Sequence, residues 1–469
     1  MMDYSSFLSH EKVLLVAPAG YGKTFTLAQC LKHTCGKSLV LTHTHAGVAS
    51  IKKKLKDELV DSAKYNVETI SSFAQKYVQA FYTGGDVPEQ DDSKKYHPFI
   101  LEKAIDILSI SAVQCVIQAS YSGVFVDEYQ DCTRGHHALI MSLASHVPLR
   151  IFGDDLQGIF NFNGDLVDFA TDLAGFFRFP PLSTPHRWNI AGNPALGVSL
   201  DCIRNRLEKS EDIDLNHYAA TIEYVDSADG YFDPRTAYAK KLSEIRGDES
   251  LLVIHPNSIR IEPRLKFSSR FKEICPIESI DDKSFYKLAR VADKFDDSKK
   301  YPILKEIAQK FYVKTELGKW FGASDFKNKQ DDRSKVHVTE LRRCLAGSGN
   351  LRTLSAALEK VSHLPSFSCT RKELLRSLNK AIDIALNKNI SVYEGMKEQR
   401  NNVRRAGRRV EGRHIGTTLL TKGLEFDTVV ILDAHSFECP KHLYVALTRC
   451  RKRLVVIANS RVLSPYTSN

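Results

Sequence analysis

Short apolar runs alternate with longer stretches of helical spacing along this chain, and polar or glycine-containing segments follow each run directly. In the first third of the sequence the runs occupy residues 13–17, 38–42, 123–126 and 149–153. Runs of this length, separated by helical stretches, are typical of buried parallel strands in an α/β sheet. The polar groups that follow them are expected at the carboxyl edge of the sheet, where such folds bind their ligands.

A second series of apolar runs begins at residue 251 and resumes at residues 429–433 and 454–458, which predicts a second α/β domain that is discontinuous in sequence. Residues 74–123 and 281–410 lack strand signals and have apolar residues at helical spacing, so both are predicted to be helical insertions. The predicted domains are 1–73 with 124–190 (first), 74–123 (its insertion), 191–250 (a connecting segment), 251–280 with 411–469 (second), and 281–410 (its insertion).

Composition narrows the class of protein without fixing its function. The 469 residues are 43% hydrophobic and 26% charged, as in a globular protein of several domains. No apolar stretch reaches the roughly 18 residues of a membrane span, and no signal-peptide pattern is visible, so we expect a cytoplasmic protein without a membrane partner. The ten cysteines form no CxxC pair, which argues against a zinc site or a disulfide framework. The net charge of +10 suits a polyanionic partner but does not require one.

The segment APAGYGKT, from Ala17 to Thr24, has the form of a phosphate-binding loop between a predicted strand and a predicted helix. Gly20 and Gly22 allow backbone N–H groups to surround phosphates, and Lys23 adds positive charge. The Thr24 hydroxyl is a ligand for Mg²⁺. A chance match in a loop is the alternative, and the flanking strand and helix make it weak.

The run at residues 123–126 leads directly into Asp127 and Glu128. After a phosphate loop, this pattern predicts that Asp127 holds Mg²⁺ and that Glu128 orients and deprotonates the attacking water. The alternative is an acidic surface turn, which the preceding apolar strand disfavours.

From this point the sequence resembles the superfamily 1 DNA helicases of the UvrD/Rep/PcrA type. The similarity extends from residue 13 to about residue 458, and the motifs occur in the order found in that family. The motifs are THTHA (42–46), TISSF (69–73), DEYQD (127–131), FGDDLQGIF (152–160), PHRW (185–188), TTLLTKGLEFD (417–427) and YVALTR (444–449). The resemblance implies an α/β fold of two RecA-like parallel-sheet domains with helical insertions.

The resemblance also implies roles around ATP, position by position. Gln157 is expected to sense the γ-phosphate, and Arg187 and Arg449 to reach it from the far side of an interdomain cleft. His186 occupies the place of the tyrosine that stacks on the base, and Glu425 that of the group that accepts a hydrogen bond from the ribose. Taken alone, each arginine would be interpreted as a member of a surface ion pair.

A nucleic-acid track follows from the same resemblance. The residues expected on it are Thr42, His43, Ser72, Phe73, Phe160 and Phe162. Phe73 and Phe162 match aromatic residues on which bases stack, although an isolated phenylalanine usually belongs to a core. The basic run at residues 397–413 contacts phosphate or forms a solvated helix face, and the sequence leaves both interpretations open.

Two departures from the family pattern affect the prediction. Residues 1–16 contain no glutamine that could read adenine, so ATP is the expected nucleotide while adenine selectivity stays open. The histidine that the family has in the motif at residues 417–427 is replaced by Leu419 or Leu420, depending on alignment.

The predicted function is an ATP- and Mg²⁺-dependent translocase or helicase on single-stranded or tailed duplex DNA, with 3′→5′ polarity implied by the resemblance. The alternative is an ATP-gated nucleic-acid sensor that controls a partner nuclease. Compact chains of that kind resemble GajB, the helicase-like subunit of Gabija antiphage defence.

Overall fold

The computed structural model describes residues 2–90, 92–160, 165–228, 230, 232–256, 260–277, 282–365, 367, 369–406 and 410–466. The chain divides into two compact units. One unit comprises residues 1–89, 93–277 and 406–469, and it contains both β-sheets. The other comprises residues 90–92 and 278–405, and its described part is built from helices.

The first sheet has six parallel strands in the order β3-β2-β4-β5-β1-β6. The strands are β1 (Lys12–Val16), β2 (Ser38–Thr42), β3 (Tyr65–Thr69), β4 (Gly123–Val126), β5 (Leu149–Gly153) and β6 (Phe177–Phe179). Every residue of β2, β4 and β5 is buried, because helices cover both faces of the sheet. Continuous burial explains why these strands are mostly apolar, apart from the buried Ser38, Thr42 and Arg150, and their predicted bounds are confirmed.

Seven helices accompany this sheet. They are α1 (Tyr4–Ser9), α2 (Lys23–His33), α3 (His45–Asp57), α4 (Ile70–Phe81), α5 (Ser93–Leu108), α6 (Ser111–Ser120) and α7 (Arg134–Ala144). Side chains alternate between the two faces of β1, so Leu14 packs in one core and Leu15 in the other. Tyr77, Ile100 and Val113, from the segment predicted to be an insertion, share the core of Leu14. This segment therefore covers one face of the first sheet.

The second sheet also has six parallel strands, in the order β10-β11-β9-β12-β13-β8. The elements of this half, in chain order, are α8 (His186–Ile190), α9 (Pro194–Glu208), β7 (Ile213–Asp214), β8 (Ile222–Asp226), α10 (Ala237–Ile245), β9 (Leu251–Ile254), α11 (Glu262–Arg270), β10 (Cys275–Pro276), β11 (Arg413–Gly416), α19 (Thr418–Thr421), β12 (Phe426–Ile431), α20 (Pro440–Leu447), β13 (Cys450–Ala458) and β14 (Val462–Leu463). Strands β7 and β14 form a separate antiparallel pair. Two parallel sheets with flanking helices confirm the predicted α/β class.

Residues 191–250 do more than connect the two sheets, which corrects the prediction. Strand β8 pairs in parallel with β13 and forms the edge of the second sheet. Tyr238 and Leu242 of α10 lie in the core beneath it. The sequence of β8, IEYVD, mixes charged and apolar residues because an edge strand is half solvated, so it gave no apolar run.

The helical unit contains seven helices in its described residues. They are α12 (Asp282–Ala292), α13 (Lys300–Ala308), α14 (Lys314–Trp320), α15 (Asp332–Ala346), α16 (Leu351–Ser362), α17 (Lys372–Lys388) and α18 (Val392–Ala406). Apolar residues at helical spacing, such as Leu374, Leu378 and Ile382 in α17, face a single core. Among the helices described anywhere in the chain, none combines the length and apolarity that a bilayer crossing requires.

Candidate nucleotide site and interdomain cleft

The loop between β1 and α2 has the backbone geometry of a phosphate-binding loop. Gly20 and Gly22 have φ angles of 78° and 87°, a region that side chains with a Cβ rarely adopt. A Cβ at Gly20 would also lie 2.8 Å from the Trp188 ring. Gly22 caps α2, so the free N–H groups and the positive end of an 11-residue helix face the loop. The residues present therefore fit a bound polyphosphate.

Lys23 and Thr24 begin α2 and connect the loop to the predicted metal ligand. The buried Lys23 ammonium donates a hydrogen bond to the carbonyl oxygen of Ala17 at 3.0 Å, which folds the side chain back over the loop. The Thr24 hydroxyl lies beside the carboxylate of Asp127 and acts to lower its pKa. A hydroxyl beside a carboxylate and a phosphate loop provides the oxygen ligands that Mg²⁺ prefers.

Asp127 and Glu128 follow β4 directly and lie beside Lys23. Burial, together with the neighbouring Glu128, raises the pKa of Asp127 to about 7. Burial also acts to raise the pKa of Glu128, but Lys23 and Lys422 outweigh it and hold that pKa below its usual range. Glu128 is the ionised member of the pair, as a general base must be. Its φ of 57° is unusual for a residue other than glycine, and such strain is concentrated at functional sites.

Gln157 and Arg449 meet across the cleft between the two sheets. Gln157 follows β5, whereas Arg449 follows α20, and the Arg449 guanidinium donates to the Gln157 amide oxygen at 3.3 Å. Arg449 is only 2% exposed. Burial, together with the neighbouring Arg187, lowers its pKa to about 10, so it stays charged at neutral pH. The structure thus brings together two of the predicted catalytic side chains.

Arg187 and Glu425 form a second contact across the cleft. The backbone N–H of Arg187 donates to the carbonyl of Gly20 at 3.0 Å, which places this residue beside the phosphate loop. Its guanidinium donates to Glu425 at 2.6 Å and to the carbonyl of Thr448. Partial desolvation acts to raise the pKa of Glu425, but Arg187 outweighs it and lowers that pKa. In this structure Glu425, the predicted ribose ligand, is therefore engaged by an arginine.

His186 lies directly beside the phosphate loop. Its Cδ2 atom is 3.2 Å from the position that a Cβ on Gly22 would take. Its ring centroid is 6.5 Å from that of Phe25 in α2, and both rings are exposed. The predicted base-stacking residue therefore has an aromatic neighbour that the sequence analysis did not assign.

Lys422 and Asp131 form a buried ion pair that the sequence analysis missed. The Lys422 ammonium donates to both carboxylate oxygens of Asp131 at 2.6 Å and also to the carbonyl of Gln157. Burial raises the pKa of Asp131 to about 7, although Lys422 acts in the opposite direction. Both residues lie within motifs whose other members were assigned roles. Their position in those motifs was the signal that could have identified them.

Four of the residues predicted for the nucleic-acid track lie at carboxyl ends of first-sheet strands. Thr42 ends β2, His43 follows it, Ser72 lies in the first turn of α4, and Phe160 follows β5. The rings of His43 and Phe160 stack with centroids 5.7 Å apart, and the Lys422 ammonium lies 5.0 Å from the Phe160 ring. Thr42 is buried, whereas Ser72 and Phe160 are partly exposed.

The prediction that Phe73 stacks on a base is wrong for this structure. Phe73 is 0% exposed and packs against Tyr77, with ring centroids 4.7 Å apart, in the core under the first sheet. A ring enclosed on both faces offers no surface to a base, so the alternative interpretation as a core residue holds. Phe162, the other predicted stacking residue, lies outside the described residues.

Comparison with known proteins gives one family match and several remote structural similarities. A family model described as an AAA domain matches residues 4–163, a range that includes the phosphate loop, Asp127 and Glu128. A Pif1 helicase from Bacteroides, in complex with ADP-AlF3 and ssDNA, has 11% identity and a TM-score of 0.39, over 99% of this chain and 92% of that one.

The arterivirus nonstructural protein 10 helicase, in complex with DNA, has 12% identity and a TM-score of 0.35. The match covers 97% of this chain but only 62% of the arterivirus chain. No curated protein matches this sequence. Because these identities and TM-scores are low, the proposal that follows rests on the site and on the AAA-domain match.

Proposed function

We propose that this chain is an ATP-dependent translocase or helicase that acts on single-stranded DNA and hydrolyses ATP in the cleft between its two sheets. The observation that carries the proposal is the arrangement of charged groups around the phosphate loop. Lys23, Asp127 and Glu128 come from the first sheet, whereas Arg449 comes from the second and reaches Gln157 across the cleft. A site completed by two domains hydrolyses nucleotide only when they are correctly apposed.

Each side chain has a distinct role in the proposed reaction. Lys23 places its charge at the β- and γ-phosphates, and the ionised Glu128 accepts a proton from the attacking water. Thr24 and Asp127 would hold Mg²⁺, which neutralises phosphate charge when it is bound. Arg449 and Arg187 stabilise the negative charge that develops on the transferred phosphoryl group. Arg187 must exchange its contact with Glu425 for the phosphate, which frees Glu425 to accept a hydrogen bond from the ribose.

The nucleobase is proposed to lie against His186 and Phe25. Both rings are exposed at the N-terminal end of α2, and stacking on aromatic faces does not distinguish one purine from another. The site therefore favours a nucleoside triphosphate through its phosphates rather than through the edge of the base.

The nucleic acid is proposed to lie along the carboxyl edge of the first sheet, near Phe160, His43 and Ser72. Lys422 connects this region to the nucleotide site, because it contacts the Phe160 ring and also donates to Asp131 and to the carbonyl of Gln157. Nucleic acid that shifts Lys422 would alter the surroundings of Glu128 and Gln157. This connection predicts that DNA stimulates hydrolysis.

The test is the steady-state ATPase rate as a function of the concentration of single-stranded DNA. We expect the rate to rise and saturate for the parent, and to be lost in Lys23→Ala at every DNA concentration. Equal parent rates with and without DNA would contradict the motor and leave the ATP-gated sensor of a partner nuclease as the better proposal. Kinship to the UvrD/Rep/PcrA type and 3′→5′ polarity are finer parts of the proposal, and unwinding of duplexes with a 3′ or a 5′ tail tests the polarity.

A further inference from the structure

Helix α9 reaches the phosphate loop through two side chains that no sequence motif assigns, directly through Asp201 and indirectly through Arg204 and Tyr444. Asp201 and Arg204 are three residues apart and therefore lie on the same face of α9. The Asp201 carboxylate accepts a hydrogen bond from the hydroxyl of Tyr21, a residue of the loop itself, at 2.8 Å. Arg204 is buried and donates to the hydroxyl of Tyr444 on α20 at 3.1 Å.

Arg204 and Tyr444 belong to a continuous chain of buried hydrogen bonds. At one end, the backbone N–H of Ala19 in the phosphate loop donates to the Tyr444 hydroxyl at 3.3 Å. At the other end, Arg204 donates to the Asp154 carboxylate at 2.6 Å. The second oxygen of Asp154 accepts from the Gln157 amide at 2.7 Å. The chain thus begins at the loop and ends at the side chain that meets Arg449.

This chain fixes which way the Gln157 amide faces. Asp154 is fully buried and, as a carboxylate, only accepts hydrogen bonds, so it selects the NH₂ group of Gln157 and leaves the amide oxygen for Arg449. Arg204 fixes the position of Asp154, and Tyr444 fixes the position of Arg204 relative to the loop. Since buried polar groups without partners are strongly disfavoured, a displacement of the loop is transmitted to Gln157.

We propose that Arg204 and Tyr444 are positioning residues that couple the phosphate loop to Gln157, so that the protein distinguishes a nucleoside triphosphate from a diphosphate. The proposal rests on the nucleotide site proposed above and adds two residues through which that site reads the γ-phosphate. Neither residue touches the nucleotide; both act through Gln157.

The test is equilibrium binding of ADP and of a non-hydrolysable ATP analogue, which requires no turnover. We expect the parent to prefer the analogue and Gln157→Ala to lose that preference. Tyr444→Phe removes one hydroxyl and keeps every charge. It should reduce the preference by roughly 5- to 150-fold, the effect of the two hydrogen bonds that this hydroxyl accepts, at about 0.5–1.5 kcal/mol each, while the Kd for ADP changes by less than about 2-fold. In the Gln157→Ala background, Tyr444→Phe should have no further effect.

Tyr224→Phe is the matched control, because the Tyr224 hydroxyl donates to the carbonyl of Ala458 at 3.0 Å and lies outside the chain of contacts. Arg204→Gln is the second variant, with an effect at least as large as that of Tyr444→Phe. An unchanged preference in Tyr444→Phe, or additive effects with Gln157→Ala, overturns the coupling. A parent that binds both nucleotides equally also overturns it. A parent that binds neither nucleotide instead contradicts the proposed function.

Discussion

The cleft between the two sheets and the helical unit use charge in opposite ways. In the cleft, ion pairs join elements far apart in sequence and are largely buried, as Lys422 with Asp131 and Arg204 with Asp154 illustrate. In the helical unit, the ion pairs join near neighbours at the surface, as Lys388 with Glu398 illustrates. Residues 278–405 contain 27 lysines and arginines against 17 acidic residues, whereas the rest of the chain contains 39 of each.

Most of the net charge of +10 therefore resides in the helical unit, which carries +8 once Asp91 and Asp92 are included, and the part that contains both sheets carries only +2. Buried charges must be matched one to one, since an unmatched charge in a low-dielectric interior is strongly destabilising. Surface charges are solvated and need no partner. A net charge in a sequence thus gives no information about the charges that form a buried site. Four variants test this difference, from the largest expected effect to the smallest.

Arg449→Ala should have the largest effect, because it removes a buried cation from the proposed phosphate site. We expect turnover to fall by ~10³–10⁵-fold, the range for an arginine that stabilises phosphoryl transfer. The measurement is kcat with and without DNA, together with a thermal unfolding curve to verify folding. Arg451→Ala is the matched control, since Arg451 is two residues away, partly exposed, and paired with Asp427. Equal losses in the two variants would remove the distinction between cleft and surface charges.

Lys422→Met should destabilise the fold by up to ~3–5 kcal/mol at alkaline pH, where Asp131 is ionised in the parent, because it leaves this buried carboxylate without its partner. The double variant Lys422→Met/Asp131→Leu should recover most of this loss, since no buried charge then remains. Chemical denaturation of both variants and of the parent measures the difference. A double variant no more stable than the single one would contradict the interpretation of the ion pair.

The same single variant has a defined pH dependence. Burial raises the pKa of Asp131 to about 7 even beside Lys422, and removal of the lysine raises that pKa further. When the pKa of a carboxyl is higher in the folded than in the unfolded state, its protonated form favours folding. This contribution to the free energy of unfolding is complete below the unfolded-state pKa of ~4 and is lost as the pH rises through the folded-state pKa. Lys422→Met should therefore lose more stability relative to the parent at pH 8 than at pH 5. If the stability difference between Lys422→Met and the parent does not change with pH, ionisation of Asp131 is not the cause of the lost stability.

The sequence predicted the nucleotide side of the cleft better than the nucleic-acid side, for a physical reason. A phosphate loop depends on backbone geometry and on a short local sequence, so the glycines and Lys23 were visible as a motif. Base stacking depends on whether a ring is exposed, which local sequence does not determine. Phe73 matched the family pattern but lies in the core. Arg204 gave no signal because its role arises only when α9 packs beside Asp154 and Tyr444.

The fold shows the same contrast between local and long-range information. Fully buried strands such as β4 and β5 were predicted with their observed bounds, since helices on both faces favour mostly apolar residues. The shorter or partly exposed strands β3, β6, β8, β10 and β11 were missed. Each of them contains partly exposed residues, so its place in a sheet depends on pairing partners distant in the sequence.

Phe160→Ala should have an intermediate effect that separates binding from stability. Phe160 is partly exposed beside His43 and Lys422, so its loss should weaken binding of single-stranded DNA by ~1–3 kcal/mol, the contribution of one stacked base. The Kd from a fluorescence titration, at fixed salt, measures this effect. Phe73→Ala is the contrasting variant, because a buried phenylalanine lost to alanine destabilises the fold by ~3–5 kcal/mol. A Phe73→Ala variant that is as stable as the parent but binds DNA more weakly would restore the prediction that Phe73 stacks on a base.

Lys388→Ala should have the smallest effect, although its contact with Glu398 has good geometry. The ammonium donates to both carboxylate oxygens at 2.7 and 2.6 Å, yet the two side chains are 55% and 38% exposed. Water and salt screen the attraction between the two charges, and fixing two long side chains in one geometry costs conformational entropy. The expected change in the free energy of unfolding is therefore ~0–1 kcal/mol. A double-mutant cycle with Glu398→Ala, at low and high salt, isolates the pair from its surroundings. A coupling above ~2 kcal/mol that persists at high salt would place this exposed pair in the same class as Lys422 and Asp131. It would then follow that sequence separation and burial do not decide how strongly a charge pair stabilises this protein.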